Sequence, residues 1–248
     1  MRIIAIVQAR MSSSRLPGKV LLKLCDKTTI SNIFDRLSRS KRIDSIVIAT
    51  SSNEDDDLIE KECLNNNINV FRGSLNNVLE RFFCCASFYK ADIIVRCTAD
   101  NPFVDPALVD EAIAMFEKKH LDYLSYKKRL PLGMAVEVFS FNALSKAFNE
   151  ATNNECLEHV TPYIAKNPQL FHSLRFDSAE DIDYSDIRLT MDTPEDYAFA
   201  STIYNFFGSN IFSYKDLICA ITSHPEWRIM NKTIKQKVVE YQGEDDKC

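Results

Sequence analysis

Through the first 120 positions, each unbroken apolar stretch gives way to a polar turn, and the turn to residues at helical spacing. Ile3-Ile4-Ala5-Ile6-Val7 is a run of mostly β-branched residues with no polar alternation. Such a run is a strand buried on both faces, as in a parallel sheet. Thr29 to Ser40 then places Ile30, Ile33, Phe34 and Leu37 on one helical face. A second strand, Asp44–Thr50, leads to the acidic Glu54-Asp55-Asp56-Asp57, which suits the first turn of a helix running to about Asn65. A cation site is the competing reading of that run. Asn69–Ser74 is a short strand and turn before a helix from about Asn76 to Tyr89. Asp92–Thr98 is the third long strand, and Asp105-Pro106 caps and opens a helix to Lys118. This β-α-β-α order predicts an α/β protein with a mostly parallel central sheet flanked by helices.

A parallel sheet directs attention to the carboxyl ends of its strands, where open α/β folds bind ligands. After Val7 the pattern breaks at Gln8, and the next dozen residues carry Arg10, Arg15 and Lys19 among three serines, a proline and a glycine. Hydroxyls, backbone N–H groups and fixed cations in one loop suit a polyphosphate. It is not a P-loop: Gly18-Lys19 is present, but Ser13 stands at the early glycine and Val20 at the hydroxyl position. Nor is it a dinucleotide fingerprint, which needs three glycines within six residues. An ordinary solvated βα loop is the alternative. Asp100 lies just past the third strand, on the same rim, and is a candidate for Mg²⁺, which takes one or two carboxylates together with substrate phosphates. Thr193, Pro194 and Asp196 form a helix start, which leaves Asp192 at the end of a preceding strand, as Asp100 is.

The segment Gln8-Ala9-Arg10-Met11-Ser12-Ser13-Ser14-Arg15-Leu16-Pro17-Gly18-Lys19 resembles the N-terminal signature of the cytidylyltransferases that activate sugars and sugar acids. The similarity is greatest to the spore-coat polysaccharide branch, with the 3-deoxy-manno-octulosonate and acylneuraminate enzymes more distant. Phe71-Arg72-Gly73-Ser74, the Arg96-x-Thr98-x-Asp100 strand end, Glu158-His159-Val160-Thr161-Pro162-Tyr163 and the Asp192 segment carry it further along the chain. The resemblance implies a Rossmann-like nucleotide-diphospho-sugar transferase fold and CTP as donor. Gln8, Ala9, Arg10, Ser13, Arg15 and Lys19 would bind the nucleotide, with Arg72 and Ser74 near base or ribose and Arg96 and Thr98 beside them. It further implies Asp100 and Asp192 as Mg²⁺ ligands and Glu137, Glu158 and His159 on the acceptor side. Arg10, Lys19, Asp100 and Asp192 would carry the catalysis. Many relatives have Asp on either side of the glycine of the Pro-x-Gly segment, where this chain has Leu132 and Ala135; the acceptor is therefore open.

The 248 residues are read as one domain, with 122–176 an excursion off the main sheet and 230–248 a peripheral segment; the resemblance implies that the excursion serves the acceptor and a homodimer contact. From spacing alone, the basic Lys127-Lys128-Arg129 within it is a solvated turn. A net charge of −5 argues against non-specific nucleic-acid binding. No stretch approaches the roughly 18 apolar residues of a membrane span. The short N-terminal apolar run, leading into charge, lacks a signal-peptide pattern, so a cytoplasmic protein is expected. The eight cysteines show no C-x₂-C pair and sit mostly in apolar surroundings, Cys97 and Cys219 among them, as small buried hydrophobes in a reducing compartment. Cys248 is expected to be exposed. The expected partners are CTP and a small acceptor. A donor other than CTP, and a regulator that binds nucleotide without turnover, are the alternatives.

Overall fold

The computed structural model describes residues 1–126, 129–176 and 183–236. β1 (Ile3–Gln8) leads through a 3-10 turn at Lys19–Leu21 into a small hairpin, β2 (Lys23–Leu24) and β3 (Lys27–Thr28). Then come α1 (Thr29–Leu37), β4 (Ser45–Ser51), α2 (Asp57–Asn65), β5 (Asn69–Gly73), α3 (Val78–Phe88), β6 (Ile93–Thr98) and α4 (Pro106–Lys118). The second half contains β7 (Tyr123–Tyr126), β8 (Glu137–Ser140), α5 (Phe141–Glu150), α6 (Asn154–His159), α7 (Pro162–Lys166), β9 (Ser173–Phe176), α8 (Pro194–Phe207) and α9 (Tyr214–Ser223).

The large sheet has the order β5-β4-β1-β6-β8-β7-β9. β1 pairs in parallel with both β4 and β6, and only β8 runs against its neighbours. Successive side chains of β1 go to opposite faces. Ile3, Ala5 and Val7 enter a core closed by α1, α2, α4, α8 and α9. Ile4 and Ile6 enter a second core closed by α3, α5 and the α6–α7 segment. Burial on both faces is why these strands read as unbroken apolar runs; each fully buried isoleucine contributes about 1.5–3 kcal/mol relative to exposure.

The helix starts follow their local chemistry. The Asp105 carboxylate accepts from the amides of Ala107 (2.9 Å) and Leu108 (3.1 Å) ahead of Pro106. Thr193–Asp196 and Ser213–Asp216 are reciprocal capping boxes at α8 and α9. Arg36, fully buried on α1, donates to the carbonyl oxygens of Val104, Asn210 and Phe212. It thereby ties α1 to the loop before α4 and to the turn between α8 and α9.

Three expectations change. The 122–176 segment does not leave the main sheet, because β7, β8 and β9 extend it on the β6 side; only α5–α7 lie on its face. Asp192 does not end a strand of that sheet: it follows an extended stretch joined to the Leu132 loop by one isolated bridge at Arg188. Cys219 is exposed on α9, whereas Cys63, Cys85 and Cys97 are buried, with their thiols pushed up to about 12 by desolvation. Lys127, Lys128 and positions 237–248, including Cys248, lie outside the described residues.

Candidate active site

The loop after β1 closes on itself and on its neighbours. The carbonyl of Met11 accepts from the amides of Ser13 (2.9 Å) and Gly18 (3.1 Å). Gly18 has φ +68, and a Cβ there would press on the Met11 methyl at 3.3 Å. The Met11 amide donates to Asp56, 2.7 Å away. Asp56 is buried and also accepts from the amide and hydroxyl of Ser51. One member of the acidic run thus anchors the loop while its neighbours form the helix start.

Lys19, at the end of this loop, is buried, and its ammonium bridges two carboxylates. Nζ donates to Asp100 Oδ2 at 2.9 Å and to Asp192 Oδ1 at 2.7 Å. The second oxygen of Asp100 accepts from the Thr98 hydroxyl at 2.5 Å, and that hydroxyl accepts from Asn101 Nδ2. The second oxygen of Asp192 meets Arg15 at 3.1 Å and Arg188 at 2.9 Å. Burial raises the Asp192 carboxyl, but the Lys19 hydrogen bond and the charges of Lys19, Arg15 and Arg188 outweigh it and hold the group below its ordinary value. The backbone supports this convergence. The amide of Met191 donates to the carbonyl of Asp100 at 2.7 Å, and Gly133 packs where a Cβ would lie 2.7 Å from the Thr190 nitrogen.

A cleft opens above these groups. Gln8, Ala9, Arg10, Ser13, Arg15, Lys19, Thr98, Asp100, Glu158, His159 and Asp192 all line it, so most residues singled out from sequence share one cavity. His159 sits in the last turn of α6; burial lowers its pKa, with Glu158 opposing and Arg96 assisting. Four others lie outside the lining. Arg72 points away, donating to the carbonyls of Ser51 and Asn53 and pairing with Asp57 and Glu60. Ser74 accepts from the Asn77 amide at the start of α3. Arg96 pairs with Glu137 behind the cleft and reaches Gln8 at 3.3 Å. Glu137 also accepts from the hydroxyls of Tyr123 and Thr161.

Two site residues carried no sequence signal. Arg188 forks onto both oxygens of buried Asp196 at 2.9 Å while touching Asp192, so it fixes the Asp192 carboxylate. Arg81 on α3 is 2% exposed and lines the cleft; it donates to the carbonyl of Ser74, and among the described residues its Nε has no partner. Desolvation brings its pKa down to about 10.

A doubly covered α/β sheet with a cationic, hydroxyl-rich loop facing two converging aspartates defines a nucleotide-handling α/β protein. The chain belongs to the cytidylyltransferase family, whose model matches residues 4–244, and it is therefore a nucleotidyltransferase. It is 37% identical over 230 residues to the spore coat polysaccharide biosynthesis protein SpsF of Bacillus subtilis, covering 90% of this chain and 95% of that protein. A solved cytidylyltransferase from Leptospira borgpetersenii superposes with a TM-score of 0.88 at 34% identity, over 95% of this chain and all of the other. A CMP:2-keto-3-deoxy-manno-octonic acid synthetase complexed with CTP shares the fold, with a TM-score of 0.63 at 13% identity over 84% of this chain and 99% of the other. Among the described residues no helix is long and apolar enough to cross a membrane.

Proposed function

We propose that this chain transfers CMP from CTP to a small acceptor, releasing pyrophosphate in a reaction that depends on a divalent cation. The observation that carries this reading is the meeting of Asp100 and Asp192, 92 positions apart in the chain, on the side chain of Lys19 at the mouth of the phosphate-suited loop. An oxygen of the acceptor attacks the α-phosphorus in line as the bond to the β-phosphate oxygen breaks. Such chemistry asks chiefly for positioning and charge neutralisation. Arg10, Arg15 and Lys19 supply fixed cations along the phosphates, and the Ser13 hydroxyl a further donor. Arg81, which lines the cleft, adds a further cation on its wall.

The donor set suits Mg²⁺. Asp100 and Asp192 offer carboxylate oxygens within 3 Å of a common nitrogen. Among the described residues no group of three or more His, Cys, Asp or Glu side chains converges as a cation cage. Two carboxylates completed by substrate phosphates is the arrangement Mg²⁺ favours. When bound, the cation would act as Lewis acid and template on the phosphates.

The acceptor is a sugar, sugar acid or small phosphorylated compound, and Glu158 and His159, which line the cleft, are the residues expected to meet it. SpsF supports a product destined for surface polysaccharide. A cytoplasmic homodimer joined through the 122–176 segment completes the reading, on family resemblance alone. Melting temperature with each of the four ribonucleoside triphosphates, with and without Mg²⁺, tests the donor. A ligand at 100 times its Kd adds about 2.7 kcal/mol, a rise on the order of 5 to 10 °C for this chain. A rise with CTP that Mg²⁺ enlarges supports the reading, and a rise with another nucleotide changes the donor. Asp100→Ala should leave the fold intact and abolish cation-dependent pyrophosphate release; normal release removes Asp100 from the site.

A further inference from the structure

Lys19 stands where a cation shared by the two aspartates would stand. Each carboxylate has one oxygen fixed by other neighbours: Asp100 Oδ1 by Thr98, Asp192 Oδ2 by Arg15 and Arg188. Each turns its remaining oxygen to the same ammonium, at 2.9 and 2.7 Å. The Lys19 side chain is only 11% exposed, so little water competes for these bonds. A Mg²⁺ ion held by Asp100 and Asp192 would need the same two carboxylate oxygens that the ammonium now occupies. The two cations exclude one another. Arg15 and Arg188 close by add positive charge that opposes a free divalent ion.

The triphosphate changes that balance, since it offers Lys19 other anionic oxygens and gives the divalent ion its missing ligands. We infer that Lys19 is a built-in stand-in for the divalent cation: without nucleotide its ammonium keeps the ion out, and the phosphates draw it off. The cation is thereby admitted only together with nucleotide, and turnover is coupled to the loading of both. This inference rests on the reading of Asp100 and Asp192 as cation ligands. It also gives Lys19 two effects of opposite sign: removing the side chain weakens nucleotide binding yet strengthens binding of the ion alone.

Mn²⁺ shares the preference for carboxylate and water oxygen, and its electron paramagnetic resonance signal reports the free ion. Titrating Mn²⁺ without nucleotide into the wild-type chain, Lys19→Met, Lys19→Gln and Lys19→Met/Asp192→Asn tests the inference. Expected are weak uptake by wild type, at least a tenfold gain (about 1.4 kcal/mol) in both single variants, and loss of that gain in the double variant. Mn²⁺ should also raise the melting temperature of the single variants more than that of wild type, which reports on any variant that folds marginally. If wild type takes up Mn²⁺ with CTP but the folded single variants gain nothing without it, the stand-in role is overturned while the cation reading survives. If neither wild type nor variant takes up Mn²⁺ with or without CTP, the cation reading falls, and the inference with it.

Discussion

The amide of Thr161 donates to the carbonyl oxygen of His159, 2.8 Å away, across the single residue Val160. Val160 has φ 71 and ψ −55, a γ-turn with positive φ that β-branched residues rarely adopt. Such conformations cost about 1–3 kcal/mol and persist where the surroundings enforce them. Here the Val160 side chain is fully buried against the α3 and α5 face, the Thr161 hydroxyl is held by Glu137 at 2.8 Å, and Pro162 starts α7. The turn ends α6 with His159 on the wall of the cleft.

That strain reverses an ordinary ranking. At a buried site with negative φ, glycine is less stable than alanine by roughly 0.5–1 kcal/mol. At Val160 both lose the same apolar contacts apart from one methyl, but only glycine accepts the positive φ without a penalty. Val160→Gly should therefore be at least as stable as Val160→Ala, with both below wild type. Denaturant midpoints of the three proteins decide it, and a clearly less stable glycine variant would show that the turn is unstrained.

His159 gives a pH dependence of known sign. Desolvation holds its folded pKa below the ordinary value; Glu158, Glu155 and Glu137 oppose this and Arg96 assists. A histidine depressed in the folded state adds stability that is present above its unfolded pKa, about 6.5, and is lost as pH falls through the folded value. Urea midpoints measured from pH 8 to pH 5 should fall more steeply for wild type than for His159→Gln. Parallel curves would mean that the imidazole is not held neutral by its surroundings.

Much of this was legible in the chain. The runs at Ile3, Ile46 and Ile93 announce β1, β4 and β6 because each is buried on both faces, and Asp105-Pro106 and Thr193-Pro194 cap their helices through bonds to residues two or three positions on. Asp100 stands out as a carboxylate just past an apolar run, Lys19 as a cation of the loop after β1, and Asp192 as the residue before the Thr193 cap. Arg188, Asp56 and Arg81 do not: Asp56 and Arg81 depend on tertiary contact, with Met11 and in the cleft, and Arg188 on an irregular backbone path that brings Asp192 and Asp196 back onto it. The direction of Arg72 was hidden for the same reason, its partners being the β4 end and α2.

Gly133 is where the loop before β8 wedges between the two acidic segments. Its φ is +99, and an added Cβ would lie 2.7 Å from the Thr190 amide nitrogen and 2.9 Å from the Asn101 side-chain oxygen. Both neighbours adjoin the site, Asn101 next to Asp100 and Thr190 two positions before Asp192. Gly133→Ala should cost about 1–3 kcal/mol, a drop of roughly 2 to 12 °C in Tm. It should also lower turnover more than CTP affinity, because the aspartates shift while the β1 loop does not. An unchanged Tm would show that the loop yields easily.

Arg81 should separate stability from binding. The residue is 2% exposed; its guanidinium donates to the carbonyl of Ser74, and among the described residues its Nε has no partner. Burial lowers its pKa to about 10, with Asp56 opposing and Arg10 assisting. A desolvated, half-satisfied cation is a poor contributor to stability, and an apolar side chain of similar length is often neutral or better. A nucleotide entering the cleft brings acceptors that would complete its bonding, and a hydrogen bond from a charged donor is worth about 1.5–3 kcal/mol. Arg81→Met is thus expected to keep or raise the Tm of the nucleotide-free protein while weakening CTP binding by about tenfold or more. Calorimetric titration with CTP, beside thermal unfolding of the same preparations, reads both quantities. Weakened binding with stability retained assigns Arg81 to the nucleotide, whereas a large loss of stability with unchanged affinity assigns it to the packing of α3.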